Sequence, residues 1–317
     1  MLKPIQKPAV MIGMPLLLLL PFILQNDYYM DIVIFSGIYI LLAIGLNVVV
    51  GFTGLLAIGH AAFYGVGAYA MAILSMNYGV PFWLALPFSL LVTAAFSIPI
   101  SAPALRLRGD YLAIVTLGFG EITNQIFTNW VSLTRGPMGI PGIPMPAFFQ
   151  WDFGNPLPPL GPFFTPSNIL FYYLGLAFVG IGVLASWRLE HSRLGRAWKA
   201  IREDESAAEA MGIDTFRLKL LAFVISAAYA GVAGCFFASY TTFVGPSSFT
   251  FMESVLVLCM VVLGGRGNIV GVMLGAVLLV FLPEILRGFS EYRMLLFGVA
   301  LVAVMILRPQ GLWGKKE

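Results

Sequence analysis

The sequence predicts an all-α, polytopic transmembrane bundle with a cytoplasmic amphipathic helix between two of its spans. Three observations carry that prediction. First, 59% of the 317 residues are hydrophobic and only 10% are charged, against about 45–50% and about 25% in soluble domains. So few charges do not coat a water-facing globule. Second, the 74 residues between Asp31 and Arg106 contain no Asp, Glu, Lys or Arg. A bilayer core takes about 20 apolar residues per helical span, so this stretch alone holds about three spans. Third, the basic residues fall in alternate loops. Together these exclude a soluble enzyme, a nucleic-acid binder, a secreted disulfide scaffold and a disordered chain. The apolar runs are continuous, not alternating at period two, which argues against a β-barrel.

Apolar runs bounded by charge or Pro/Gly clusters give about ten spans in a single membrane domain, 1–317. They lie at 9–25, 32–50, 54–76, 82–104, 110–130, 168–187, 220–241, 253–265, 268–284 and 293–307. The first run follows Lys3 and Lys7 and is read as a retained span, since Gln25 and Asn26 replace a small-residue cleavage site. The runs at 253–265 and 293–307 are short. As half-helices or re-entrant segments they would reduce the count to eight. With the N-terminus inside, 15 of the 18 basic residues fall in inner loops and only Arg135, Arg287 and Arg293 fall outside. That asymmetry predicts cytoplasmic termini.

Two loops exceed mere connectors. The outer one, 131–167, holds nine prolines, which fix φ and withhold a donor, so an irregular but ordered segment is expected. The inner one, 188–219, holds 13 of the 33 charged residues and no proline. Within it Leu194, Ala197, Trp198 and Ile201 fall at one helical face, and Ala208 and Met211 continue the stripe. Gly212 then supplies a stop. One amphipathic helix, or a pair of short ones, is predicted here. Its charges are of mixed sign, from Arg193 and Arg196 to Glu205 and Glu209. Mixed sign suits a protein partner better than an anionic lipid surface, although the headgroup reading stays open.

The segment SRLGRAWKAIREDESAAEAMGID, 192–214, resembles the coupling segment of ABC importer permeases, and specifically of the branched-chain amino acid permease family. Other stretches agree: GLNVVVGFTG (45–54), GHAAFYGVGAY (59–69), RLRGDYLAIVTLGFG (106–120), GPMGIP (136–141), LGGRGNIVG (263–271) and RPQGL (308–312). The outer Gly-Pro motif resembles the longer of the two permease subunits of such importers. Where the broader importers carry Glu-Ala-Ala, three residues and Gly, this chain has Ser206, Ala207, Ala208 and Gly212, with Glu205 just before.

The resemblance implies a non-catalytic subunit of a bacterial cytoplasmic (inner) membrane importer for branched-chain or similar amino acids. It implies a second permease subunit in a heterodimer, two ATP-binding subunits carrying ATP and Mg, and an extracytoplasmic amino-acid-binding protein. The chain itself holds no Gly-Lys-Ser or Gly-Lys-Thr, so no phosphate-binding loop of that type. Raising a solute 1,000-fold takes about 4 kcal/mol, which the partners would supply. Coupling to them is expected through Arg196, Glu205, Ser206, Ala207, Ala208 and Gly212. Docking of the binding protein is expected at Gly136, Pro137 and Gly139. Related permeases carry urea or short amides, and an ion-coupled secondary transporter is a further alternative. The latter needs acidic ligands in the membrane, and only Glu121 offers itself. A membrane enzyme would need a cluster of His, Asp, Glu or Cys, and the two His and two Cys are far apart.

Within the spans, Gly51, Thr53, Gly54, His60, Glu121 and Asn124 are candidates for the translocation path. Each has a plainer reading. The glycines of 51–67 serve either close helix packing or a broken helix whose free backbone groups face the path. His60 is either hydrogen-bonded to a neighbouring helix or a proton relay. Glu121, with Asn124 and Gln125, either lines the path or makes an interhelical contact. Gly267, Gly271 and Gly275 form a packing face. Glu253 and Glu284 are expected near span ends, reaching water. No metal site is expected.

Overall fold

A computed structural model describes residues 18, 20–21, 26–107, 109–148, 151–152, 168–285, 298–299 and 302. Most of the expected spans 9–25 and 293–307 and of the proline-rich stretch after residue 148 lies outside the described residues. The helices are α1 (Asp27–Asn47), α2 (His60–Tyr78), α3 (Phe82–Ala104), α4 (Asp110–Asn129), α5 (Val131–Thr134), α6 (Ile169–His191), α7 (Arg193–Glu203), α8 (Glu205–Ala210), α9 (Thr215–Thr241), α10 (Phe251–Gly264) and α11 (Ile269–Ile285). A π-helical turn, Val48–Phe52, continues α1. Two small antiparallel pairs interrupt the helical pattern. Strand β1 (Ile140–Pro141) pairs with β4 (Phe243–Val244), and β2 (Ala147–Phe148) with β3 (Trp151–Asp152). The purely α expectation is corrected to that extent.

Among the described residues five helical stretches are long and apolar enough to cross a membrane: Asp27–Phe52, Phe82–Ala104, Ile169–His191, Thr215–Thr241 and Pro246–Gly264. The shortfall against ten has physical reasons beyond the spans not described. Helix α4 is long enough but carries Glu121, Gln125 and Asn129. Helix α11 is apolar but has only 17 residues.

Helix α9 is the central post, packed against α1, α2 and α3. It runs parallel to α2 and so close that a Cβ at Gly67 would strike the backbone of Gly231, and one at Gly234 the backbone of Tyr64. Small residues are what allow two backbones to approach in a membrane. Helix α3 buries one stripe at strict four-residue spacing, Ala85, Ser89, Thr93, Ser97 and Ser101. Its opposite face shows Leu84, Phe88, Leu91 and Ile98. Helices α6 and α11 likewise turn Ile181, Leu184, Leu274 and Leu278 outward. These are the apolar outer faces that a lipid environment selects.

The third apolar run was expected to be helical from residue 54. Helix α2 begins only at His60, and 54–59 is a non-helical segment between the π turn and α2. Leu42, Leu46 and Phe52 are buried around it. Irregular backbone at this depth is tolerated only inside protein. Segment 243–250 also folds back inward: Phe249 sits among Tyr64, Tyr69, Phe127 and Phe237. Helix α10, 14 residues long, follows directly on this inward segment, with Phe251 and Met252 of its first turn exposed.

Candidate functional site

One end of the bundle carries Arg106, Arg266 and the seven basic residues from Arg188 to Lys219; of the described basic residues only Arg135 is at the other. The charged segment at this end folds as a pair of short helices. Ser192 caps α7 by accepting from the Gly195 N–H, and Asp204 caps α8 by accepting from Ala207. Asp204 is extended, φ −155°, so the helical phase is reset between them. The expected stripe holds for Trp198, Ile201 and Ala208, which are buried, but fails for Met211, which is 83% exposed.

That buried stripe packs on the bundle itself. Trp198 stacks on Phe52 of the π turn at 6.4 Å and donates its indole N–H to the Leu218 carbonyl at 2.9 Å. Lys219, almost fully buried, pairs with Glu205 at 2.5 Å. Thr215 donates to Glu209 at 2.7 Å. Both short helices are thus fastened to the first turn of α9. The buried part of the apolar stripe is thus covered by the bundle itself, while Met211 stays exposed. Exposed residues of the segment include Arg196, Ser206, Ala207, Ala210 and Met211. Gly212, at φ +81°, closes α8, with Ile213 N–H returning to the Ala208 carbonyl at 3.1 Å. A Cβ on Gly212 would meet nothing, so this glycine serves the backbone conformation and no close contact.

Above α7 lies the break between α1 and α2. Arg202 donates from Nη1 to the Gly51 carbonyl at 2.8 Å, and Gly267 N–H donates to Asn47 Oδ1 at 2.9 Å. A Cβ at Gly51 would collide with both Asn47 Oδ1 and the Gly267 nitrogen. Gly54 lies under the Arg202 stem, and Thr53 donates to the Val49 carbonyl at 2.6 Å. Arg202 is a residue that sequence reasoning missed. Its place in a charge-rich helix carries no signal, because its acceptor is a backbone carbonyl 151 positions away.

The remaining membrane candidates divide between two places. Ile58 N–H donates to Thr116 Oγ1 at 3.1 Å, and the Ala61 N–H donates to Ser254 Oγ at 2.9 Å. His60 heads α2, 3% exposed, with its Nδ1 3.5 Å from Ser226 Oγ. A small apolar cavity adjoins it, lined by Gly59, Phe63, Thr116 and Phe223 among others. Asn124 uses both amide hydrogens on the folded-back segment, to the carbonyls of Pro246 at 2.8 Å and Phe249 at 3.1 Å. Glu121 is elsewhere, on the outer face of α4. It accepts from Gln125 at 3.4 Å, and Asn129 in turn donates to the Gln125 carbonyl at 2.9 Å. All three are exposed, so α4 presents a polar ladder where α3, α6 and α11 present hydrocarbon.

Two glutamates were expected near span ends. Glu253 differs in part: it stands in the first turn of α10 but is only partly exposed, and it accepts from the Tyr39 hydroxyl of α1 at 2.9 Å. At the other end of the bundle Gly136, Pro137 and Gly139 form a single 3₁₀ turn and its cap. Gly139 is pressed against the Val244 carbonyl, and Met138 between them is 85% exposed.

With this geometry in place, the comparison with known proteins is decisive. A family described as the permease component of the branched-chain amino acid transport system matches residues 28–305. The chain belongs to that family. It is 48% identical over 293 residues to a high-affinity branched-chain amino acid transport system permease protein, LivM, of Salmonella typhimurium, covering 89% of this chain and 69% of that one. The LivM protein of Escherichia coli is 47% identical over the same shares. The LivH permease protein of Escherichia coli is 28% identical over 88% of this chain and 92% of its own length. Near-equal alignments fill less of LivM than of LivH, so the LivM type is the longer of the two. No solved structure matches. This branched-chain permease is a multi-pass membrane protein.

Proposed function

We propose that the chain is the LivM-type permease subunit of an ABC importer for branched-chain amino acids in the cytoplasmic membrane. The observation that carries this is the 48% identity across 89% of the chain to a protein named for that transport. Escherichia coli has two permease proteins named for one such system, LivM and LivH, and both resemble this chain. The second permease subunit is therefore of the LivH type.

The basic residues gathered at the α7–α8 end support placing that end in the cytoplasm. There the free surface of α8, capped by Gly212, is the docking face for a separate ATP-hydrolysing subunit. The opposite end, with the Gly136–Met138 turn, faces the amino-acid-binding protein. A carboxylate on a lipid-facing helix surface is expensive and marks a partner or a water-filled passage. The ladder Glu121–Gln125–Asn129 therefore lies at the seam with the second permease, where the passage runs. Gly51, Thr53, Gly54 and His60 form the broken helix behind that face, and Asn124 holds it against the folded-back segment.

The test is leucine uptake into vesicles containing the purified complex. Accumulation is expected with ATP present and the proton gradient collapsed. Uptake that follows the gradient and ignores ATP would overturn the reading in favour of a secondary transporter.

A further inference from the structure

We infer that Arg202 is the positioning residue through which movement of the α7–α8 segment reaches the break between α1 and α2. This deepens the proposed function and rests on it. Where a helix ends, its last carbonyls lack intrahelical donors. After the π turn Val48–Phe52 the chain stops being helical, so the Gly51 carbonyl must be satisfied from outside. The donor is Arg202 Nη1, 2.8 Å away and 151 residues later in sequence.

Three features make this bond more than a local fastening. The first is the rigidity of what it joins. Trp198, Glu205 and Glu209 bind α7 and α8 to the start of α9, so the segment moves as one body with Arg202 on it. The second is the crowding at the receiving end. Gly51 has no room for a Cβ between Asn47 and Gly267, while Asn47 Oδ1 takes the Gly267 N–H of the turn joining α10 to α11. A shift of Gly51 therefore acts on α1, α10 and α11 together. The third is where the chain goes next. Segment 53–59 leads from Gly51 straight to the Thr116 hydroxyl of α4 and to His60 at the head of α2. Single π turns such as this one are also frequent at functional sites.

The guanidinium head thus ties the docking segment to the membrane break, and α4, with its polar ladder, stands at the far end of that connection. Arg202 is an exposed residue as a whole, with its stem over Gly54, and no part of the buried apolar core.

The experiment compares three variants with the wild-type complex in proteoliposomes. Arg202→Ala is expected to retain its bound subunits and its ATP hydrolysis while leucine uptake falls at least tenfold, raising the ATP consumed per leucine. Arg202→Lys, which keeps one donor, restores part of the uptake. Met211→Glu, on the free surface, is expected to lose the ATP-hydrolysing subunit on purification. If Arg202→Ala keeps the wild-type ratio of ATP to leucine, the role given to Arg202 is overturned while the docking reading stands. If Met211→Glu retains every subunit and full uptake, the docking reading itself fails.

Discussion

Gly51 shows how one missing methyl group organises a region. Its neighbours are a side-chain carbonyl and a backbone nitrogen already bonded to each other, so Gly51→Ala has no flexible side chain to push aside. Overpacking of this kind costs about 1–3 kcal/mol. The variant is expected to unfold at a lower temperature in detergent and to transport less. Gly118→Ala, on α4 where nothing lies within 4 Å, is the matched control and should unfold like the wild type. Equal unfolding of the two would contradict the packing described at the break. Glu121 acts at the same scale but through charge. Among the described residues its carboxylate accepts from Gln125. Exposed substitutions away from special features change stability by no more than about 0.5 kcal/mol. Glu121→Gln should therefore cut leucine uptake several-fold with unchanged thermal unfolding. Unchanged uptake would remove Glu121 from the passage.

Elements differ in how plainly their sequences announce them. Helix α3 was legible because an uninterrupted apolar run bounded by Pro81 and Arg106 has no alternative in a bilayer. The charged segment was legible as amphipathic, yet its division into α7 and α8 rests on Asp204 turning extended to cap the second helix. Asp204 stands in a run of four charged residues in which any of several could end a helix, so periodicity carried the stripe one residue group too far, to Met211. The start of α2 was misplaced for a related reason. Residues 54–59 are apolar and glycine-containing, and nothing local distinguishes a buried irregular segment from a helix. The distinction comes from Thr116, Ser254 and Arg202, which supply partners to the unwound region from far along the chain. Glu253 was similarly hidden, since it accepts from Tyr39, far along the chain. Long-range hydrogen bonds of this sort leave no periodic trace in one sequence.

The molecule as a whole is asymmetric along its long axis and around its circumference. Along the axis, the described basic residues other than Arg135 and the α7–α8 pair gather at one end, and the small strand pairs and the Gly-Pro turn at the other. Around the circumference, hydrocarbon faces on α3, α6 and α11 contrast with the polar ladder of α4. Under the proposed function, the first asymmetry sets where force enters and the second where solute passes, with the proposed connection running from α8 through α7 and Arg202 to the broken helix and α4. The most direct check is a cross-link at its entry point. With Met211→Cys in the intact complex, a short bifunctional thiol reagent is expected to join this chain to the ATP-hydrolysing subunit. Efficient joining to the amino-acid-binding protein, or to no subunit in a complex that still transports, would contradict the account.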